Sequence, residues 1–127
     1  METCVAAPVC PFCATEGLVL ANEHALARWD ANPVTPGHLH VTTRRHVADF
    51  FETGDDERRA MLDLLQLARD LLQREHHPDG FNIGVNIGEP AGQTVPHVHI
   101  HLIPRYRGDT PRPRGGVRGV IPDNQSY

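Results

Sequence analysis

Three histidines alternate with apolar residues in His97-Val98-His99-Ile100-His101-Leu102-Ile103, a segment bounded by Pro96 and Pro104. Alternation at period two is the pattern of a half-buried β-strand, with the histidines on one face and Val98, Ile100 and Leu102 on the other. Imidazoles gathered on one face supply proton transfer, nucleophilic attack and metal ligation near neutral pH. On a regular strand, successive histidines stand roughly 6.5–7 Å apart, and the outer pair about 13 Å apart. Zinc holds its nitrogen ligands at about 2.0–2.1 Å, so one ion cannot take all three. The array therefore divides its labour, leaving at least one imidazole for chemistry.

A second cluster lies near the start of the chain. Cys4, Cys10 and Cys13 are odd in number and crowded into thirteen residues, a poor disulfide framework. Cys10-Pro11-Phe12-Cys13 is a C-x-x-C pair, half of a zinc site or a redox motif. A thioredoxin-like motif opens a helix after a strand, and Ala14-Thr15-Glu16-Gly17 breaks too soon for that. The zinc half-site is favoured, with two histidines elsewhere completing it.

The whole chain sets outer limits. Its 127 residues make one domain, and 39% hydrophobic with 22% charged residues is ordinary for a soluble globular protein. No apolar run approaches the roughly 20 residues of a membrane helix. The Met1–Cys4 start lacks a basic segment leading into an apolar core, so a secretory signal is not expected and a cytoplasmic location is. A net charge of −4 excludes a protein that simply coats nucleic acid, and no stable nucleic-acid binding is expected. Anionic substrates must be held by local groups.

These side chains need a scaffold. Gly17–Ala21 and Ala25–Trp29 read as strands joined by an Asn22-Glu23-His24 turn. Proline and glycine in Asn32–Gly37 make a turn before a third strand, His38–Thr42, with Leu39 and Val41 facing away from His38 and His40. A short helical piece is predicted over His46–Glu52. Thr53 is a candidate N-cap for a long helix whose stripe of Met61, Leu64, Leu65, Ala68, Leu71 and Leu72 runs to about Glu75. Phe81–Asn86 is the fourth strand, Gly88–Gln93 a loop, and the histidine strand the fifth. Short connections force antiparallel pairing. The prediction is an α+β domain, a five-stranded antiparallel sheet with one long and one short helix on one face. Its core spans about residues 10–106, and residues 107–127 form an extended Pro/Gly/Arg-rich tail.

Taken together, His97–Ile103 preceded by Gly92-Gln93-Thr94-Val95, Pro36-Gly37-His38 with Arg45-His46 beyond the next strand, and Asn86-Ile87-Gly88 resemble the histidine triad (HIT) family of nucleotidyl hydrolases and transferases. The resemblance covers about Cys10 to Tyr106. The tail Arg114-Gly115-Gly116-Val117-Arg118 with Val120-Ile121-Pro122 is similar to one in a bacterial branch. The resemblance implies that His99, the central histidine, is the nucleophile that attacks an α-phosphorus, forming a nucleotidyl-imidazole that water resolves. It implies that His101 binds phosphate or assists proton transfer, that Thr94 contacts the leaving group, and that Asn86 holds phosphate or the bridging atom. His97 completes the catalytic strand. His38 lies close by, Gln93 counts with the phosphate loop, and Asp30 holds ribose hydroxyls. Cys10, Cys13, His46 and His97 match the zinc ligands of some members, a closed structural site. His24, His40, His76 and His77 have no counterpart and read as solvated.

The function implied is a nucleotidyl hydrolase acting on a nucleoside phosphoramidate or dinucleoside polyphosphate, with a purine nucleotide, adenosine-containing, as substrate. His101 stands where the transferase branch carries glutamine. Two other readings remain open: a dinucleoside polyphosphate phosphorylase, and a nucleotide-binding regulatory or scaffold protein with residual catalysis. Structural zinc is the one cofactor implied, with no organic cofactor, and a two-fold homodimer is the expected assembly.

Overall fold

A computed structural model describes residues 10–127. Met1–Cys4, read above as lacking a secretory signal, lies outside the described residues. Strands β1 (Leu18–Ala21), β2 (Ala25–Trp29), β3 (Leu39–Thr43), β4 (Gly80–Val85) and β5 (His99–Arg105) form one sheet in the order β1-β2-β3-β5-β4. Every neighbouring pair is antiparallel. The chain leaves β3, passes through helix α1 (Asp55–Glu75) and returns on the far side, so β5 inserts between β3 and β4. The expected α+β architecture is therefore present.

Alternation along the strands divides the two faces of the sheet. Ala25, Ala27, Leu39, Val41, Ile100 and Leu102 point to one side and bury against Ala60, Met61, Leu64, Leu65, Ala68 and Leu72 of α1. Each fully buried leucine in such a core contributes on the order of 1.5–3 kcal/mol over leaving it exposed. The β1–β2 turn is anchored to the helix as well, because Asn22 Nδ2 donates to the Ala60 carbonyl at 2.9 Å. Its Oδ1 accepts from the backbone of Ala25 at 2.9 Å and closes the turn. No helix among the described residues is long and apolar enough to cross a membrane.

Strands β1, β3 and β4 lie within one residue of their predicted ends, and four larger differences remain. The predicted helical piece His46–Glu52 shrinks to a single 3₁₀ turn, Phe50–Glu52, because Asp49 caps it by accepting from Phe51 N–H. Thr53 does not cap α1: its hydroxyl donates to the Phe50 carbonyl at 2.6 Å, and Gly54 takes the cap position. Glu57 reaches back to accept from Gly54 N–H at 2.8 Å. The fifth strand begins at His99, so His97 lies before it rather than on it. The segment after Arg107 is not simply extended, since Gly116–Val120 and Pro122–Asn124 form 3₁₀ turns.

Gly37 connects the turn to the histidine face. Its φ is +91°, and a Cβ there would lie 2.8 Å from Cδ2 of Leu72 and 3.2 Å from the His76 ring. Leu72 is fully buried and cannot yield. Gly37→Ala is therefore expected to lose about 1–3 kcal/mol of stability by strain and overpacking, read as a lower midpoint in urea denaturation.

Candidate active site

The face away from α1 carries His40 on β3, His99 and His101 on β5, and His38 immediately before β3. Register brings them together, with His40 opposite His101 and Thr42 opposite His99. Ring centroids are 4.9 Å apart for His99 and His101, 5.1 Å for His38 and His101, and 5.8 Å for His40 and His99. The side chain of His97, off the strand, turns toward the cysteines instead.

Hydrogen-bond partners assign the protons. His99 Nδ1–H donates to the carbonyl of His97 at 2.9 Å, so Nε2 keeps its lone pair. His38 Nδ1 accepts from Val34 N–H at 3.0 Å, which puts the His38 proton on Nε2. That Nε2–H donates to His101 Nδ1 at 2.9 Å, leaving His101 with its proton on Nε2. A free nitrogen lone pair on His99 thus stands beside a neighbour whose outer nitrogen donates. Burial pushes the pKa of His38 below the imidazole range even though Asp30 pulls it up. Burial likewise lowers His101, helped by His99 and His38 and opposed by Asp30. Neutral rings are what this relay requires.

Asp30 sits behind the relay. Its Oδ1 accepts from Asn32 N–H at 2.8 Å, and its Oδ2 lies 3.5 Å from His38 Nε2 and 3.4 Å from His40 Nδ1. Burial raises its pKa, but the Asn32 N–H and the two histidines more than offset that and hold it below the ordinary carboxylate value. Asp30, His38 and His101 also lie close enough to share a metal ion. The Val34 hydrogen bond argues against that use, because metal on His38 Nε2 would leave its Nδ1 accepting as well, which demands an imidazolate. We read the group as a hydrogen-bonded relay.

On the β4 side, Asn86 follows the strand and Thr94 is exposed in the next loop. Gly92, at φ +96°, brings this loop close to Asn86, for a Cβ at Gly92 would lie 3.9 Å from the Asn86 amide nitrogen. Gln93 braces the loop. Its Oε1 accepts from Gly88 N–H at 2.9 Å, and its Nε2 donates to the carbonyls of Ala48 at 2.9 Å and Val95 at 3.1 Å. Both ends of this amide are engaged within the protein, so it shapes the Gly88–Val95 loop.

Cys10, Cys13, His46 and His97 converge at the other end of the face, their ligand atoms all within 4.8 Å of one another. Sγ of Cys10 is 3.3 Å from His97 Nδ1, and Sγ of Cys13 is 3.3 Å from His46 Nδ1 and 3.7 Å from His97 Nδ1. A tetrahedral ion with Zn–S about 2.3 Å and Zn–N about 2.0–2.1 Å sets sulfur and nitrogen about 3.5 Å apart. His97 Nε2–H donates to the Thr43 carbonyl at 2.7 Å, which turns the Nδ1 lone pair toward the sulfurs. Burial pushes His97 down to about 4, which keeps the ring neutral and ready to ligate. The donor set fits a metal. Both cysteines would ligate as thiolates.

Several contributors escaped the sequence reading. His40 is buried rather than solvated, its Nδ1–H donating to Asp30 at 3.4 Å, and burial pushes its pKa down to about 4. Its position, two residues after His38 on an alternating strand, was the available signal. Phe12, inside the C-x-x-C loop, packs against His40 at 4.5 Å and His99 at 4.7 Å between centroids. Arg28, a charge in an otherwise apolar strand, is buried and donates to the carbonyls of Pro11 at 3.2 Å and Ala14 at 2.6 Å. His24 and His76 are half-buried and His77 is exposed.

Comparison with known proteins gives this arrangement a family. The HIT domain family model matches residues 14–108. An uncharacterized HIT-like protein of Methanocaldococcus jannaschii is 41% identical over 92 residues, covering 72% of this chain and 70% of that one. A protein of Mycobacterium tuberculosis named AP-4-A phosphorylase is 35% identical over 96 residues, 74% of this chain and 49% of its own, so the chain spans about half that relative's length. Among solved structures, a zinc-bound histidine triad family protein of Mycobacterium smegmatis matches with a TM-score of 0.68 at 33% identity, covering 73% of this chain and 68% of that one. With its histidine face, its sheet order and a family match over most of its length, the chain belongs to the HIT family.

Proposed function

We propose that this chain is a nucleotidyl hydrolase that cleaves nucleoside phosphoramidates or dinucleoside polyphosphates at the α-phosphorus, with adenosine as the nucleoside. The observation that carries the reading is the tautomer of His99: Nδ1–H is tied to the His97 carbonyl and Nε2 holds a lone pair beside His101. In the first step the Nε2 pair forms a bond to phosphorus. The bond from phosphorus to the leaving oxygen or nitrogen breaks, and its electron pair leaves with that atom, which takes a proton supplied from His101 Nε2 or the Thr94 hydroxyl. The donor is left one proton short. In the second step water attacks phosphorus and restores that proton to the same group, and the P–N bond returns its pair to His99. Asn86 and the backbone amides of the Gly92–Val95 loop hold the phosphate oxygens, and Asp30 the ribose.

Phosphate in place of water makes the same intermediate a route to phosphorolysis, a second reading favoured by the relative named AP-4-A phosphorylase. Diadenosine tetraphosphate separates the two, because AMP forms with water and ADP with phosphate. We take the working form to be a cytoplasmic homodimer. Reduced Cys10, Cys13, His46 and His97 would hold zinc, a reading supported by the zinc-bound relative. A four-ligand set leaves no open position, so the ion would act as a cross-link that fixes the backbone of His97.

Three outcomes test this. His99→Ala is expected to abolish turnover of adenosine 5′-phosphoramidate while nucleotide binding and melting temperature change little; near-native turnover would exclude His99 as nucleophile. The second concerns pH. Protonating His101 or His38 breaks the relay, and their lowered pKa values move that event below the ordinary 6.5. The acid limb of kcat should therefore lie below pH 6.5, and a limb at or above it contradicts a neutral relay. Third, protein purified under reducing conditions without chelator should carry about one zinc per chain. Cys10→Ser should lose both the metal and part of the thermal stability.

A further inference from the structure

The C-terminal segment is absorbed by none of the chemistry above, and its composition is unlike the rest. All twelve basic residues are arginine, and Arg105, Arg107, Arg112, Arg114 and Arg118 face only two acids, Asp109 and Asp123, in the last 23 residues. The preceding 104 residues hold seven arginines against fourteen acids. A positive segment on a negative protein marks where an anion is drawn.

The segment is also built rather than loose. Gln125 Nε2 donates to the carbonyls of Arg112 at 3.1 Å and Arg114 at 3.4 Å. Arg118 donates in return to the carbonyls of Gln125 at 3.3 Å and Asn124 at 3.0 Å. The Tyr127 ring receives Arg118 at 4.7 Å and Arg114 at 5.3 Å. Gly115 lets this loop close, since a Cβ there would fall 1.8 Å from the Gln125 carbonyl oxygen. The guanidinium groups of Arg107 and Arg112, by contrast, have no ion-pair or hydrogen-bond partner among the described residues and point to solvent.

Its position gives the anion an identity. The segment packs on the histidine face: Gly116 approaches Asn82, which pairs with Ile103, two residues beyond His101 on the same side of β5. There it closes a cavity of about 300 Å³ lined by Val34, Thr35, Ile103, Arg105, Thr110 and Gln125. Along β4, Asn82 lines that cavity, and Gly84 follows it opposite His101, where a Cβ would meet nothing within 4 Å. Asp30 and His40 occupy the β2–β3 side of His101, so the open Gly84 side is the one left for the group that departs from phosphorus. Resting on the nucleotidyl-transfer reading above, we propose that the folded segment Asp109–Tyr127 receives the anionic leaving nucleotide, which makes dinucleoside polyphosphates the preferred substrates over phosphoramidates. Arginine suits that task because its planar fork grips phosphate oxygens in pairs.

The test is leaving-group dependence. Rates are measured on diadenosine tetraphosphate, whose leaving group is a nucleoside triphosphate, and on adenosine 5′-phosphoramidate, whose leaving group is ammonia. Arg107→Gln/Arg112→Gln removes only unpaired guanidinium groups, and Arg112→Glu reverses one charge. Both are expected to lower kcat/KM for the tetraphosphate about ten-fold or more and to leave the phosphoramidate within about two-fold, the latter also reporting an intact fold. Equal losses on both substrates, or none on the tetraphosphate, would overturn the assignment while the hydrolase reading stands. Wild-type protein inactive on both substrates would overturn the hydrolase reading and this inference with it.

Discussion

The hydrogen bond from His99 Nδ1 to the His97 carbonyl is the constraint on which the site depends. It decides which nitrogen of His99 keeps its lone pair, and it forms just where the chain enters β5. The same residue is tied down at its other polar atoms. His97 Nε2 donates to the Thr43 carbonyl, Nδ1 faces the cysteines, and its backbone N–H donates to the Val95 carbonyl at 2.8 Å. Three holds on one residue fix the carbonyl that orients the His99 ring. A metal on Nδ1 would act two residues away from that ring.

Around that bond, the sheet resolves a conflict between stability and chemistry. Imidazoles packed this densely lose hydration, and burial holds the pKa values of His38, His40, His97 and His101 down, so neutral rings pass N–H groups to neighbouring acceptors. The opposite face is purely apolar and seals against α1. Strand alternation lets one set of backbone hydrogen bonds serve both purposes. Thr42 belongs to the same economy: buried at 0% exposure beside His99, it fills the gap between strands without adding a titratable group.

Much of this was legible in the residues. The apolar stripe of α1, the alternation of β3 and β5 and the glycine and proline turns follow from local periodicity, and they specify the five-stranded sheet. The His99 and His38 positions were readable through the family resemblance. What escaped depended on contacts distant in sequence. Whether His40 is solvated or buried is decided by Phe12 and Asp30, which come from other segments. His97 fits the period of the strand, yet tertiary contacts with Thr43 and Cys10 pull it off the ladder. Thr53 has the chemistry of a cap, but the preceding turn claims its hydroxyl first. The tail reads as extended by composition, and only the Gln125 side chain, crossing back to Arg112 and Arg114, folds it.

Arg28 has a consequence for how a metal would be bound. Its guanidinium holds the carbonyl of Pro11, inside the C-x-x-C loop, and that of Ala14, just after it, using protein atoms alone. Much of the entropy of ordering that loop is therefore already spent before any ion arrives. In a small zinc finger, by contrast, binding and folding are one event and removal of the ion unfolds the chain. Here an ion would meet ligands already gathered, so its binding would add to the stability of a sheet that folds without it. Losing the ion would then lower the melting temperature without unfolding the chain.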